Sequence, residues 1–337
     1  VWLPGSIALW SSSAHGAPDF SAIDPILKSR CTLCHSGPAA PLALRLDSRE
    51  GIGTRFTVWL PLHYQPPEIE AHTLSVLEAD DRLIVGRRYG DHVYDLWRDA
   101  DQRRGLYRRT PVDAFLAGEP AWEVVLDLDA LAKTEGRNWV WKGMSLRRPD
   151  WSRGLLRLSD GGSDAVVVRE FDVTTKRFVE DGFRLPEAKG GMGWIDADTV
   201  FVDTDFGPGT LTDSGYPRIV KRWRRGTPLE DAEVVFEAPT SSVSADAWRE
   251  HDGDVAIDWV THGTSFYTGE RYLLEDGKRV RLALPDTARI HTVFQGRALV
   301  EFKQEQRLGD ATWAPGTVVS FPLETLKRRL EGGTVLF

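Results

Sequence analysis

Cysteine is scarce: the 337 residues contain 2. Two thiols cannot build a disulfide framework, so the fold has to rest on its apolar core. Methionine is equally rare, again 2. No stretch approaches the ~18 consecutive apolar residues that a membrane-spanning helix needs. Cationic charge is not in excess either. Lys plus Arg is 42 against 50 Asp plus Glu, a net charge of -8. An acidic balance argues against nucleic acid as the main partner, because that affinity comes from cationic contacts to phosphates. What the chain does have is 13 Trp, 31 Gly and 19 Pro. Aromatic residues with turn formers favour sheets joined by tight turns.

The reading divides the chain at residues 1–17, 18–49, 50–71 and 72–337. Residues 1–16 (VWLPGSIALWSSSAHG) pass from apolar to small, which fits the end of an export signal or a frayed terminus. Phe20–Ser29 has apolar residues at helical spacing and leads into Cys31. Phe56–Leu60 reads as one strand, and Pro66-Pro67 as a stiff linker.

From about Thr73 the pattern is constant. Short β-rich runs such as Val93–Arg98, Leu155–Ser159, Ile219–Arg224 and Ala298–Phe302 alternate with turn clusters. Ser265–Tyr267 is read as one of these strands. Asp160-Gly161-Gly162 and Glu275-Asp276-Gly277 supply the positive φ that hairpins need. Almost no helix is expected. Grouping the strands in fours gives a unit of about 50 residues, the size of a β-propeller blade, and about five such units. A sandwich of two large sheets is the alternative.

Several long stretches resemble the β-propeller of the prolyl oligopeptidase family of serine peptidases. They are Asp91–Arg109 (DHVYDLWRDADQRRGLYRR), Trp122–Leu131, Val166–Pro186, and above all Glu187–Arg225 with EAKGGMGWIDADTVFV and TDFGPGTLTDSGYPRIVKRWRRG. The last stretch is the most specific, since its special residues lie in loops that packing alone would not fix. The resemblance covers about residues 72–337. It implies an all-β, seven-bladed propeller, of which about five blades are present, preceded by a short irregular or helical segment. It also implies a non-catalytic role. In the family the propeller caps a separate α/β-hydrolase domain, admits short peptides and excludes folded proteins; cleavage, often after proline, occurs on the hydrolase. No cofactor is implied.

The hydrolase nucleophile sits in G-x-S-x-G, a strained strand-to-helix turn. Gly161–Ala165 (GGSDA) lacks the closing glycine and lies between two strands, and Gly263–Tyr267 (GTSFY) fails in the same way. No catalytic residue is therefore assigned, and peptidase activity is not expected of this chain alone. The partners implied are the hydrolase domain and short peptides, with no nucleic acid and no membrane span.

Two further resemblances precede the propeller. Cys31-Thr32-Leu33-Cys34-His35 is the c-type haem attachment pattern, and residues 18–49 resemble the start of a short c-type cytochrome domain. Two thiols three positions apart can add to both haem vinyls while the imidazole of His35 binds the iron. A thioredoxin-like pair would need a βαβ surround that is absent, and a half zinc site would need partners such as His63 and His72 that nothing pairs. A haem would also want a second axial ligand, and Met144 and Met192 lie far along the chain. An empty remnant of such a domain is the remaining reading. Residues 51–61 (GIGTRFTVWLP) resemble the last glycine motif and final strand of a histidine-kinase ATPase domain, without the boxes that hold adenine and Mg²⁺. Three partial resemblances within 75 residues are most simply a mosaic, a truncated peptidase propeller joined to fragments. The haem motif and signal-like start favour the periplasm over the cytoplasm.

No metal site is assigned. Asp203, Asp205 and Asp213 could suggest Ca²⁺, but Asp- and Gly-rich loops are commonly turns. The Arg103-Arg104, Arg108-Arg109 and Lys221–Arg225 clusters could serve a peptide- or protein-binding platform, or form ordinary solvated faces.

Overall fold

The computed structural model describes residues 66–79, 84–308 and 311–336. The chain divides into two compact units, Val1–Ala79 and Asp80–Phe337. In the first, a helix, α1 (Pro66–Leu77), is described. Pro66 and Pro67 open this helix instead of forming an extended linker. Proline is tolerated in a first turn, where its missing N–H would have no partner anyway. No described helix is long and apolar enough to cross a membrane.

The second unit holds five antiparallel sheets, each entered by its first strand. Sheet one is β1 (Arg87–Tyr89), β2 (His92–Trp97), β3 (Leu106–Pro111) and β4 (Glu123–Asp127), in that order. Sheet two runs β5 (Trp139–Leu146), β6 (Arg153–Asp160), β7 (Val166–Asp172) and β8 (Arg177–Phe178), with β9 (Arg184–Ala188) also pairing β7. Sheet three is β10 (Gly191–Trp194), β11 (Thr199–Asp203), β12 (Ile219–Arg224) and β13 (Glu233–Glu237). Sheet four is β14 (Ser244–Asp252), β15 (Val255–Gly263), β16 (Gly269–Glu275) and β17 (Lys278–Arg281). Sheet five is β18 (Ala288–Phe294), β19 (Arg297–Phe302), β22 (Val318–Pro322) and β23 (Thr334–Val335), with the small hairpin β20 (Gln306–Leu308) and β21 (Ala311–Trp313) between. The first strands recur about every 50 residues. Five separate sheets rule out a sandwich of two.

The cores lie between successive sheets. Tyr94 and Tyr107 of sheet one pack against Leu156 and Leu158 of sheet two. Leu155 and Val168 face Val200 and Val202. Phe201 and Val220 face Ala245, Ala247 and Val260. Trp259 and Leu273 face Val300 and Phe321. Residues adjacent in sequence, such as Leu155 and Leu156 or Val200 and Phe201, thus serve different cores. Strand side chains alternate between faces, and these sheets are covered on both. Each sheet is a blade stacked on the next. The cross-sheet contacts run mainly through first strands, with β14 packed on β10, β11 and β12 on one side and on β18 on the other. Met144 and Met192 are buried in two of these cores.

Several expectations are corrected. Ser265–Tyr267 is a loop between β15 and β16, with Phe266 and Tyr267 exposed. The expectation of almost no helix holds for the propeller unit, whose described α-helices are the short α2 (Val112–Leu116), α3 (Leu128–Glu135) and α4 (Leu323–Leu326). In α3 the Asp127 side chain accepts from the Ala130 N–H at 2.9 Å, and Gly136 ends the helix at φ 63°. Those are an N-cap and a left-handed C-terminal stop, and Leu128 and Ala132 bury the inner face. Strands β10 and β14 were not expected. One is half glycine and the other carries alanines and charges, so neither shows apolar alternation.

Candidate functional site

Charged side chains of sheets two, three and four come together on strands β6, β11, β14 and β16. Asp203 ends β11, and Asp246 lies on β14 of the next sheet. Asp246 is aligned with Thr261 of β15, which is aligned with Arg271 of β16, so the three share one face. Arg157 approaches from β6, and its Nε is buried without a hydrogen-bond partner. Burial pushes the Asp246 carboxyl up to about 6, while Arg271 pulls it down. Asp203 is pushed well above the usual carboxylate range, by burial first and Asp246 second, against the Gly191 N–H and Arg157. Neither acid is fully closed off, since both keep some accessible surface.

Adjacent blades are tied by polar contacts in the same zone. Trp194 Nε1 donates to the Ser145 carbonyl at 2.9 Å. Arg225 holds Glu170 bidentately at 2.8 and 3.1 Å. Arg249 donates to the Ile195 carbonyl at 2.8 Å. Glu250 accepts from Thr292 Oγ1 at 2.6 Å and the Val293 N–H at 3.0 Å.

One group of residues has the connectivity of a hydrolytic triad. Ser242 Oγ and His262 Nε2 share a hydrogen bond of 2.8 Å, and His262 Nδ1 lies 3.1 Å from Glu270 Oε2. The rest of the site does not support nucleophilic attack. A hydrolase needs a free N–H beside the nucleophile to hold the developing oxyanion. Here the Val243 N–H donates to the Gly263 carbonyl at 2.8 Å, and the Ser242 N–H to the Pro239 carbonyl at 3.1 Å. Glu270 also accepts from the Tyr272 hydroxyl at 2.6 Å and pairs with Arg281 at 3.0 Å. Its carboxyl is held below the usual range, first by Tyr272, with His262 and Arg281 acting in the same sense. Ser242 is buried. The trio pins the 239–243 loop to β15.

The other sequence candidates fall into place individually. Cys31, Cys34 and His35 lie outside the described residues, as do residues 51–61 and His63. Gly161–Ala165 is a hairpin connection between β6 and β7. Asp205 Oδ1 accepts from the Gly207 N–H and Thr210 Oγ1, as a turn does. Among the described residues there is no group of three His, Cys, Asp or Glu able to hold a metal. The arginine clusters are committed to ion pairs: Arg108 to Asp95, Arg109 to Glu123, Arg222 to Glu233 and Arg225 to Glu170. The coupling of Asp203 with Asp246 was missed, because the two are far apart in sequence and on different strands.

Residues 69–312 match the family model described as the prolyl oligopeptidase N-terminal β-propeller domain. The chain belongs to the prolyl oligopeptidase family. Its blades are those of the family's N-terminal propeller. An uncharacterized peptidase of Sinorhizobium fredii is 36% identical over 265 residues, which is 76% of this chain and 36% of that protein. An uncharacterized peptidase of Rickettsia prowazekii is 29% identical over 235 residues, 66% of this chain and 32% of that one. Among solved structures, a post-proline cleaving enzyme from Rickettsia typhi superposes with a TM-score of 0.73 at 25% identity, covering 80% of this chain and 42% of that one. Oligopeptidase B from Leishmania major shares the fold with a TM-score of 0.55 at 14% identity, covering 80% and 37%. The chain spans about a third of the curated relatives it matches.

Proposed function

We infer that this propeller gates a serine peptidase, admitting short peptides to a hydrolase domain that does the chemistry. The match of residues 69–312 to the family's propeller carries this reading. The charged lining at Asp203, Asp246, Arg157 and Arg271 supports it. Polar, solvated walls pass an extended peptide, whereas blades tied by buried cores and ion pairs resist being spread by a folded chain. The triad-like Ser242 group, with its neighbouring N–H donors committed, contributes no cleavage.

A chimera tests the reading. The chain replaces the propeller of the Sinorhizobium fredii relative, and cleavage of a Gly-Pro chromogenic peptide is compared with cleavage of a folded protein. The chimera is expected to cleave the peptide and spare the folded protein, and the chain alone to cleave neither. Release of chromophore by the chain alone, blocked by a serine-directed inhibitor and lost in Ser242→Ala, would overturn the non-catalytic role. A chimera that cleaves both substrates equally would overturn gating.

A further inference from the structure

A cavity of about 540 Å³ opens where β1, β14, β16 and β18 approach one another. One wall is aromatic. Trp248 is 37% exposed and lies over the buried Trp259, ring centroids 6.0 Å apart and planes within 16°. Ile290 adds an aliphatic surface.

Most polar groups of the lining are already satisfied. Arg249 is held by Asp258 at 2.6 and 2.8 Å. Glu250 accepts from Trp259 Nε1 at 3.0 Å as well as from Thr292 and Val293. His291 pairs with Glu301 at 3.0 Å. Two guanidiniums are left. Arg87 makes one long contact, 3.4 Å, to the Tyr89 hydroxyl. Arg271 spends one N–H on the Glu270 carbonyl at 3.2 Å. Neither has a carboxylate in ion-pair range among the described residues, and each guanidinium carries five donors. Burial holds Arg271 below its usual range, with Asp246 acting in the opposite sense. A desolvated cation with spare donors beside an apolar wall is best completed by a monoanion attached to an apolar group. A carboxylate fits the planar fork of Arg, and its side chain can lie on the indole of Trp248. A dianion such as phosphate would face the nearby Glu250 and Asp246 as well.

We propose that this cavity binds a peptide carboxylate, held by Arg271 and Arg87, with the adjacent apolar side chain against Trp248. The volume is that of a small-ligand pocket and takes two or three residues. The choice of a peptide rests on the gating reading, whereas the carboxylate and apolar requirements rest on the cavity itself. The bound group is either a C-terminal α-carboxylate or an Asp or Glu side chain, and the peptides below separate the two.

Calorimetry on the full chain provides the test. The probes are acetyl-Gly-Pro-Phe with a free carboxylate, the same peptide as its amide, and acetyl-Phe-Glu amide. Binding of the first with a loss of at least about tenfold in the amide assigns the α-carboxylate. Binding of the third at least about tenfold tighter than the first assigns a side-chain carboxylate. In either case Arg271→Gln is expected to weaken binding about tenfold or more, Arg271→Lys less, and Trp248→Ala several-fold. Trp248 is partly exposed, so its replacement leaves the fold intact, and circular dichroism melts confirm folding of each variant. The proposal is overturned if no peptide binds the folded chain at millimolar concentration. It is equally overturned if the amide matches the acid and no acidic side chain is needed, or if both Arg271→Gln and Trp248→Ala bind like the original. Because binding is read on this chain without cleavage, such a failure leaves the chimera result, and with it gating, standing or falling separately.

Discussion

At the scale of single residues, the energetics turn on where a charge is placed. Asp246 has an ordinary value of 3.8 and is raised to about 6 by burial. The folded state therefore holds that proton more tightly than the unfolded state. The group's stabilising contribution is complete below about pH 4 and is lost as pH rises through about 6. At pH 7 the ionised carboxylate is a net cost, which Arg271 only partly offsets. Asp246→Asn is expected to stabilise the propeller by about 1–2 kcal/mol at pH 7 and to flatten the fall in stability between pH 4 and 6. Urea unfolding at several pH values reads this. A variant less stable at pH 7, with the slope retained, would show that Asp246 is satisfied by partners in its ionised form. The same logic explains why Ser242, His262 and Glu270 are structural. Three side chains in line are not a nucleophile when every nearby N–H is already donated.

Between elements, stability lies in the seams. Blades two and three meet across the core of Leu155, Val168, Val200 and Val202, and Arg225 closes the rim of that seam. Its guanidinium takes both oxygens of Glu170, whose side chain is 2% exposed, and stacks 4.4 Å over Phe183. Glu170 also accepts from the Phe183 N–H at 2.8 Å. Removing the arginine strands a buried carboxylate with one neutral donor. Arg225→Ala is expected to cost about 2–4 kcal/mol, and Glu170→Gln with Arg225 retained to cost less. Thermal or denaturant melts of the two variants check the order. Arg225 was legible in the sequence only as part of a basic run, because its partner lies 55 positions away.

For the molecule as a whole, the radial stacking predicts a hierarchy of local stability. The second strands β6, β11, β15 and β19 are paired on both edges, and β6 and β11 are buried on both faces. Outermost strands such as β13 and β17 are paired on one edge and largely exposed. Amide exchange is expected to be slowest in the second strands and fastest in the outermost. If the outermost strands were as protected as β11 and β15, the sheets would be packed through their outer edges.

The all-β class, the repeat of about 50 residues, most strands of each of the five sheets, and the family were determined by the sequence itself. Local alternation and turn chemistry are written in neighbouring residues, and Glu187–Arg225 carries loop residues that no generic strand needs. Tertiary structure alone decided the rest. Strands β10 and β14 are rich in glycine, alanine and charges, and their small residues pack closely against neighbouring sheets. Asp203 with Asp246, and Arg271 with Trp248 and Arg87, converge only because separate blades bring their faces together. Pairing across a sheet or between sheets depends on register and packing, and neither is encoded at short range.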